Sequence, residues 1–243
     1  MGEPRSHAGI VSRCNFPIAA GVASSASAFA ALTVAAAAAS GKSLDAEVLA
    51  NLAGRCSGSA ARSLYGGFVE LESRDQEIAV RTLCDSDAWP LCVVIAVTET
   101  GPKAIGSTEA MEISRKTSPF YSSWVERQDE DLSAARAAII DRDFEQLAAV
   151  AEHNCLKMHS MMWASRPPTV FWNSATMRCL ETIRTLQCDG VAVFFTIDAG
   201  PQVKAICLPE HTENVRASLA STEGVIDVMV TGLGEAARLL DAA

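Results

Sequence analysis

Residues 190–208, GVAVFFTIDAGPQVKAICL, consist of two apolar runs separated by a turn-forming segment that contains Asp198, Gly200 and Pro201. Short apolar runs bounded by glycine and proline are typical of buried β-strands, and the Asp-Ala-Gly-Pro segment fits a tight turn between them. Asp198 therefore ends an apolar strand at a rigid edge where a substrate could bind. The alternative is an Asx-turn, in which the carboxylate binds its own backbone, and the local sequence leaves both open.

Outward from this segment, short strands and helices are interleaved along the chain. Apolar runs that alternate or are continuous predict strands at 68–72, 78–83, 89–97 and 225–232. Helical periodicity predicts helices in the alanine-rich run 26–39, after a capping Ser43, over most of 119–163, over 174–187 and between 208 and 225. This order favours an α+β fold over a doubly wound sheet. A change of composition near 85–89 predicts two domains, 1–88 and 89–243.

The composition is that of a globular protein that repels polyanions. Of the 243 residues, 49% are hydrophobic and 20% are charged, and the formal net charge is −9. This acidic balance, together with the lack of a dense Lys/Arg block, argues against nucleic acid as a partner. It leaves room for a small phosphorylated ligand, which needs only a local group of hydrogen-bond donors.

The cysteines and the hydrophobic segments point to a reducing compartment away from membranes. Eight cysteines are scattered singly with no C-x-x-C pair, which argues against zinc-finger and thioredoxin-like proteins and predicts free thiols. The N-terminus has no apolar signal core, and the run 26–39 is too short and too weakly apolar to span a bilayer. A cytoplasmic protein with no membrane partner is expected. His153 and His159 are read as ordinary helix residues, and no metal site is predicted.

Three serine- and glycine-rich segments, 19–27, 54–67 and 103–111, each precede a predicted helix. Such a segment either caps its helix through a hydroxyl or presents backbone amides to an anion. For the first segment, which contains Gly21, Ser24 and Ser25, the sequence alone favours the cap. Arg62 in the second segment could bind a carboxylate or a phosphate through two hydrogen bonds. None of the three is a Walker or Rossmann motif.

Taken together, several stretches resemble those of mevalonate diphosphate decarboxylases, a family of the GHMP small-molecule kinase superfamily. These stretches are NFPIAAGVASSASAFAAL (15–32), SGSAARSLYGGFVE (57–70), GSTEAM (106–111), PPTVFWN (167–173) and FTIDAGP (195–201). They occur in family order and spacing between Asn15 and Thr231. The resemblance implies a GHMP-kinase-like two-subdomain fold. Its N-terminal part would be like ribosomal protein S5 domain 2, and its C-terminal part would be a ferredoxin-like α/β unit.

The resemblance also implies an activity. ATP would phosphorylate the tertiary 3-hydroxyl of mevalonate 5-diphosphate, and loss of that phosphate with CO2 would give isopentenyl diphosphate. The resemblance implies Mg²⁺ as a cofactor and a homodimer as the assembly. Asp198 would orient or deprotonate the 3-hydroxyl, and Arg62 would hold the substrate carboxylate. Substrate oxygens would bind Ser57, Ser59 and the amides of Gly58, Ala60 and Ala61, with Thr108 closing the site. ATP phosphates would bind Gly21, Ser24, Ser25 and Ser107, and Ser25 is counted among the catalytic residues.

Family members begin with a segment containing K-Y-W-G-K, whereas here Met1 lies only fourteen residues before Asn15. The N-terminal part is therefore expected to be incomplete, and the chain alone is expected to be poorly active and marginally stable, which ATP-dependent CO2 release would test. Three alternatives stay open: a phosphomevalonate decarboxylase, a mevalonate 3-kinase relative, and an inactive truncated homologue.

Overall fold

The computed structural model describes residues 7–16, 23–74, 77–101 and 104–240. Strands within this part of the chain form a two-stranded antiparallel sheet and a four-stranded sheet in the order β4-β5-β3-β6, again with antiparallel neighbours. The strands are β1 (Phe68–Arg74), β2 (Glu77–Cys84), β3 (Cys92–Val97), β4 (Val193–Thr196), β5 (Val203–Cys207) and β6 (Asp227–Gly232). Antiparallel sheets with helices outside them confirm the α+β fold predicted from the sequence.

The helices follow the predicted order, and the long helical stretch after residue 119 is divided into three. They are α1 (Ser24–Ala39), α2 (Ala46–Cys56), α3 (Ser107–Thr117), α4 (Tyr121–Glu126), α5 (Gln128–Asp141), α6 (Phe144–Trp163), α7 (Ser174–Cys188) and α8 (Thr212–Ala220). Within the described ranges, two short 3-10 helices, Gly58–Leu64 and Pro209–His211, lie between these α-helices. Among the described residues, none of the helices has the length and apolar character needed to cross a membrane.

Two predicted helix caps are wrong. Helix α1 begins after Ala23, which has left-handed backbone angles with φ 55° and gives no side-chain cap. Ser24 and Ser25 therefore lie inside the first turn, because the chain adopts helical angles one residue earlier than a serine cap requires. Helix α2 begins after Asp45, again with no side-chain cap, so Ser43 does not cap it.

The second serine-rich segment is helical rather than a loop that precedes a helix. Its first residues, Gly54 to Cys56, complete α2, and Gly58–Leu64 form a 3-10 helix. The small core here is made mainly of alanine methyl groups, whose size lets α1, α2 and the 3-10 helix approach closely. Its buried members are Ala30, Ala50, Ala53, Ala60, Ala61 and Leu64.

The four-stranded sheet has helices on both faces. Since side chains alternate along a strand, Phe195 on β4 faces α7 and α8, and its neighbour Phe194 faces α5 and α6. The first face carries the larger core, with Val94, Ile183, Val203, Val215 and Leu219 among its buried members. Helix α7 begins with a capping box in which Asn173 binds Thr176 in both directions. The predicted helix at 174–187 is thereby confirmed, and its start is fixed.

Candidate functional site

Three of the predicted site serines lie together. The hydroxyl oxygens of Ser25 and Ser57 are 3.4 Å apart, and those of Ser57 and Ser59 are 3.3 Å apart. Ser25 is at the start of α1, and the other two flank the start of the 3-10 helix, so the packing of α1 on that helix brings them together. The result is a row of hydroxyls, here called the serine row (Ser25, Ser57 and Ser59), at a helix start where an anion would be stabilised.

The remaining candidates of the second segment lie along the same 3-10 helix. Arg62 is exposed, whereas Ala60 and Ala61 are fully buried. The Ala60 amide donates a 2.8 Å hydrogen bond to the Ser57 carbonyl, which fixes the first turn of the helix. Gly58 is exposed, and a Cβ added there would meet no atom within 4 Å. This side of the segment is therefore open to a ligand.

Two further predicted phosphate-binding positions are at the start of α3, and a third is not described. Ser107 and Thr108 are the first residues of α3, both exposed, and the N-cap residue Gly106 has extended backbone angles. The first turn of α3 thus presents hydroxyls and amides to solvent. Gly21 lies outside the described residues. Ser24 is partly buried in the first turn of α1.

Asp198 follows β4 and presents its carboxylate at the surface. Its Oδ2 accepts a 2.7 Å hydrogen bond from the Nζ of Lys204, a residue on β5; the Asp198 side chain is 56% exposed and that of Lys204 only 11%. The Gly200 amide donates to the Asp198 carbonyl at 2.7 Å and closes the turn. The carboxylate is therefore held by a side chain that neither interpretation of the sequence had included.

The role of Lys204 was not predicted from the sequence, although a signal for it was present. Lys204 stands in the middle of the apolar run QVKAIC, and lysine is almost never buried unless it is paired. A lysine inside a buried strand, six residues after an aspartate at the end of the preceding strand, was sufficient to predict their ion pair across a hairpin.

The ion pair adjoins a cleft on the same face of the sheet. Lys204 is directly opposite Ile95 of β3, and Ile95 is opposite Met229 of β6. Directly opposed residues in antiparallel strands point to one face, so these three side chains form a row across the sheet. Ile95 and Met229 line a cleft of about 430 Å³, which is closed on another side by Asn15 and Phe16. Asn15 and Phe16 thus lie beside the row that leads to Lys204 and Asp198.

The two histidines of α6 have different surroundings. His153 is exposed, and His159 is buried with its Nε2 3.0 Å from the carbonyl oxygen of Ile197. Burial lowers the pKa of His159. Within the described part of the chain, no group of three or more His, Cys, Asp or Glu side chains could hold a metal ion.

Two family models match this chain. The model of the diphosphomevalonate decarboxylase-like N-terminal domain matches residues 2–81, and that of the mevalonate 5-diphosphate decarboxylase C-terminal domain matches residues 93–231. The chain belongs to the mevalonate diphosphate decarboxylase family. The resemblance noted in the sequence is thereby confirmed.

Curated members of the family are longer than this chain. The diphosphomevalonate decarboxylase of Candida albicans is 34% identical over 198 residues, which are 79% of this chain and 55% of that protein. The Homo sapiens diphosphomevalonate decarboxylase is 33% identical over 204 residues, which are 81% of this chain and 50% of that protein. The chain spans about half the length of these two mevalonate diphosphate decarboxylases.

Solved structures of the family share the fold. The crystal structure of mevalonate diphosphate decarboxylase from Staphylococcus aureus gives a TM-score of 0.83 at 34% identity and covers 90% of this chain and 67% of that chain. MDDEF in complex with MVAPP, AMPPCP and magnesium gives a TM-score of 0.82 at 31% identity and covers 91% of this chain and 68% of that chain. The GHMP-kinase-like fold is thereby confirmed.

Proposed function

We propose that this chain serves the ATP-dependent decarboxylation of mevalonate 5-diphosphate to isopentenyl diphosphate, ADP, phosphate and CO2. The observation that carries the proposal is the exposed carboxylate of Asp198 in the FTIDAGP motif, which the buried Lys204 holds by an ion pair. A carboxylate that is anchored on one oxygen and open to solvent is suited to orienting a hydroxyl group for phosphoryl transfer.

The reaction has two steps that place different demands on the chain. First, the γ-phosphoryl group of ATP passes to the 3-hydroxyl oxygen, and the hydroxyl proton leaves through Asp198. The C3–O bond then breaks with release of phosphate, and the electron pair of the C–CO2 bond forms the new double bond. In this scheme Arg62 holds the carboxylate that becomes CO2, in line with its exposed guanidinium and its ability to form paired hydrogen bonds.

The serine row is proposed to bind phosphate oxygens. Its three hydroxyls within 3.4 Å of their neighbours form a donor set that fits an anion, and Ser107 and Thr108 add hydroxyls at the start of α3. Mg²⁺, when bound with ATP, would neutralise phosphate charge. Because no acidic metal cluster occurs among the described residues, the ion would be held mainly through the nucleotide phosphates and hydroxyls.

Two further features of the family are proposed here. Domains 1–88 and 89–243 are supported by the family models, which end at residue 81 and begin again at residue 93. The eight free cysteines support a cytoplasmic location, and the resemblance to the family supports a homodimer. Sedimentation of the purified chain would measure its oligomeric state, and a monomer at micromolar concentration would contradict the dimer.

The experiment begins with the wild-type chain, mevalonate 5-diphosphate carrying a labelled carboxyl group, ATP and Mg²⁺. Calorimetry measures binding of each substrate, and trapped labelled CO2 measures turnover. Asp198→Asn removes the charge at constant shape and is expected to lower turnover at least a hundredfold, in the range found for lost general-base groups. ATP binding is expected to stay within about threefold, because Asp198 acts on the hydroxyl and not on the nucleotide.

Asp189→Asn is the matched control, since Asp189 is an exposed acid beyond the end of α7. This variant should behave like the wild-type chain in both measurements. Retained turnover in Asp198→Asn would contradict the role given to Asp198. A wild-type chain that neither binds mevalonate 5-diphosphate nor releases CO2 would contradict the proposed function as a whole.

A further inference from the structure

β4, which ends one residue before Ile197, is the outer strand of its sheet, and side chains from two helices bind its outward edge. The Gln187 side chain of α7 donates to the Val193 carbonyl at 2.8 Å. The Phe195 amide donates to Glu152 of α6 at 3.2 Å. An outer strand normally leaves such groups to solvent or to another chain, so side chains here replace a neighbouring strand.

The same pattern continues past the end of β4 to Ile197, where two residues of α6 bind one backbone position. The Ile197 amide donates to Cys155 Sγ at 3.3 Å, and that sulfur lies 3.6 Å from the Ile197 carbonyl oxygen. The same carbonyl oxygen is 3.0 Å from His159 Nε2. Glu152, Cys155 and His159 share one face of α6, as their spacing on a helix requires.

The contact with the Ile197 carbonyl bears directly on Asp198. A peptide unit is planar, so the Ile197 carbonyl group and the Cα of Asp198 lie in one rigid plane. Fixing the carbonyl oxygen therefore fixes the direction in which Asp198 leaves the strand. On the far side of the turn, the Pro201 carbonyl accepts hydrogen bonds from Thr98 at 3.0 Å and Thr176 at 2.7 Å. His159 completes this support on the strand side.

The chemistry of the contact fixes the state of the imidazole. A carbonyl oxygen can only accept, so His159 Nε2 carries the proton. Nδ1 is buried without a hydrogen-bond partner among the described residues, and the ring packs on Trp172 with 4.8 Å between centroids. A second proton would be buried unpaired, in line with the burial that lowers the pKa of His159. Burial also raises the pKa of Cys155 to about 11, so its thiol stays protonated.

We propose that His159, together with Cys155, is a positioning residue that sets the direction of the Asp198 carboxylate through the Ile197 peptide. Its importance for catalysis rests on the proposed function of Asp198, whereas its effect on the backbone does not. His159 does not have to touch substrate for this role. Its contribution is to hold the strand end at the position where Asp198 meets Lys204.

The first test measures the backbone and needs no turnover. Nitrogen-15 spectra of the wild-type ring are expected to show the neutral tautomer with the proton on Nε2. His159→Leu removes the donor and should move the amide resonances of Asp198 and Gly200, whereas His159→Gln keeps a donor and should move them less. Leu147→Ala is the control, because it removes buried side chain from the same helix about 18 Å away at 1.5 Å per residue.

A proton on Nδ1 alone, or unchanged Asp198 and Gly200 resonances in His159→Leu, would overturn the proposal. If His159→Leu does not fold, Cys155→Ala removes the other contact to the same peptide, and it is expected to move the same resonances. Unchanged resonances in that variant would overturn the proposal equally.

The second test measures turnover with the assay described for Asp198. His159→Leu is expected to lower kcat at least tenfold with KM for ATP within twofold, and His159→Gln to recover most of the loss. A wild-type chain without turnover would count against the proposed function only, since the spectra still decide the positioning role. An active chain whose kcat is unaffected in His159→Leu would overturn the positioning role only.

Discussion

The two halves of the chain that contribute to the candidate site have cores made of different residue types. The first half, β1 and β2 with α1, α2 and the 3-10 helix Gly58–Leu64, packs around a core of alanine methyl groups, and it contributes the serine row with its neighbouring amides to the site. The second half, β3–β6 with α3–α8, has a core of large side chains such as Phe195 and Ile183, and it contributes the carboxylate of Asp198 and the hydroxyls of Ser107 and Thr108. Small residues let backbone and hydroxyl groups approach closely, while a core of large side chains holds individual site residues such as Asp198 in place.

This difference predicts which substitutions destabilise each half. In the second half, positional accuracy comes from side-chain volume and from hydrogen bonds onto β4, so truncating a core side chain should be costly. The core of the first half has mostly small side chains, so substitutions that add atoms should lower its stability more than substitutions that remove them. Mutations that remove atoms and mutations that add them therefore test the comparison in opposite directions.

The largest effect is expected for Phe195→Ala in the second half. Phe195 is 1% exposed, and replacing a buried phenylalanine by alanine typically lowers the free energy of unfolding by about 3–5 kcal/mol. Urea unfolding followed by circular dichroism would measure this. Phe120→Ala is the control, since Phe120 is 55% exposed and should change the free energy of unfolding by no more than about 0.5 kcal/mol. A loss below about 1 kcal/mol for Phe195→Ala would contradict the picture of a rigid second core.

An intermediate effect is expected for Gly67→Ala in the first half. Gly67 has φ 73°, and a Cβ there would lie 2.4 Å from the Cys84 carbonyl oxygen. Gly41 has φ 67° with no atom within 4 Å, so Gly41→Ala isolates the cost of the left-handed angles, about 1–2 kcal/mol. Gly67→Ala should cost more than this, because backbone must move to make room. Equal losses in the two variants, measured by urea unfolding, would show that the close packing at Gly67 is unimportant.

Much of the fold could be predicted from the sequence, because its strands and helices have clear periodicity. The hairpin around Asp198 and the helix at 174–187 were both predicted from local apolar patterns and turn residues. The prediction of a serine cap in the segment with Ser24 and Ser25 failed, as did that of a cap at Ser43, because a capping residue is defined by one pair of backbone angles that sequence does not fix. The 3-10 helix at 58–64 was missed because its small residues have no helical periodicity of their own.

The candidate site was predictable only in part. The motifs indicated Asp198 and the serines, but the contact between Ser25 and Ser57 depends on the packing of α1 on the 3-10 helix. Lys204 carried a local signal, a lysine within a buried strand. The role of His159 had none, because its partner is a backbone carbonyl and any residue could stand at position 197. A hydrogen bond to a backbone group cannot be predicted from the types of the side chains alone.

The smallest effect concerns Glu70, which is paired with one arginine in each half. Glu70 of β1 is 1% exposed, and it binds Arg81 of β2 and Arg136 of α5, whose side chains are 58% and 30% exposed. Helix α5 packs on the second sheet, so Glu70 links the two cores. Hydrogen bonding from Arg136, opposed by burial and assisted by Arg81, lowers the pKa of Glu70 below its usual value. The effect should be modest because the partly exposed arginines remain hydrated.

The sign of the pH dependence follows from that direction. The unfolded chain binds a proton at Glu70 more readily than the folded chain. The ionised Glu70 therefore stabilises the folded state fully above about pH 4.3, and this stabilisation is lost as the pH falls below it. Urea unfolding at pH 7, 5 and 4 should therefore show a smaller acid-induced loss in Glu70→Gln than in the wild-type chain. Glu112→Gln removes an exposed partner of Arg115 and should change the loss less. Identical pH profiles for Glu70→Gln and the wild type would mean that Glu70 does not couple the halves electrostatically.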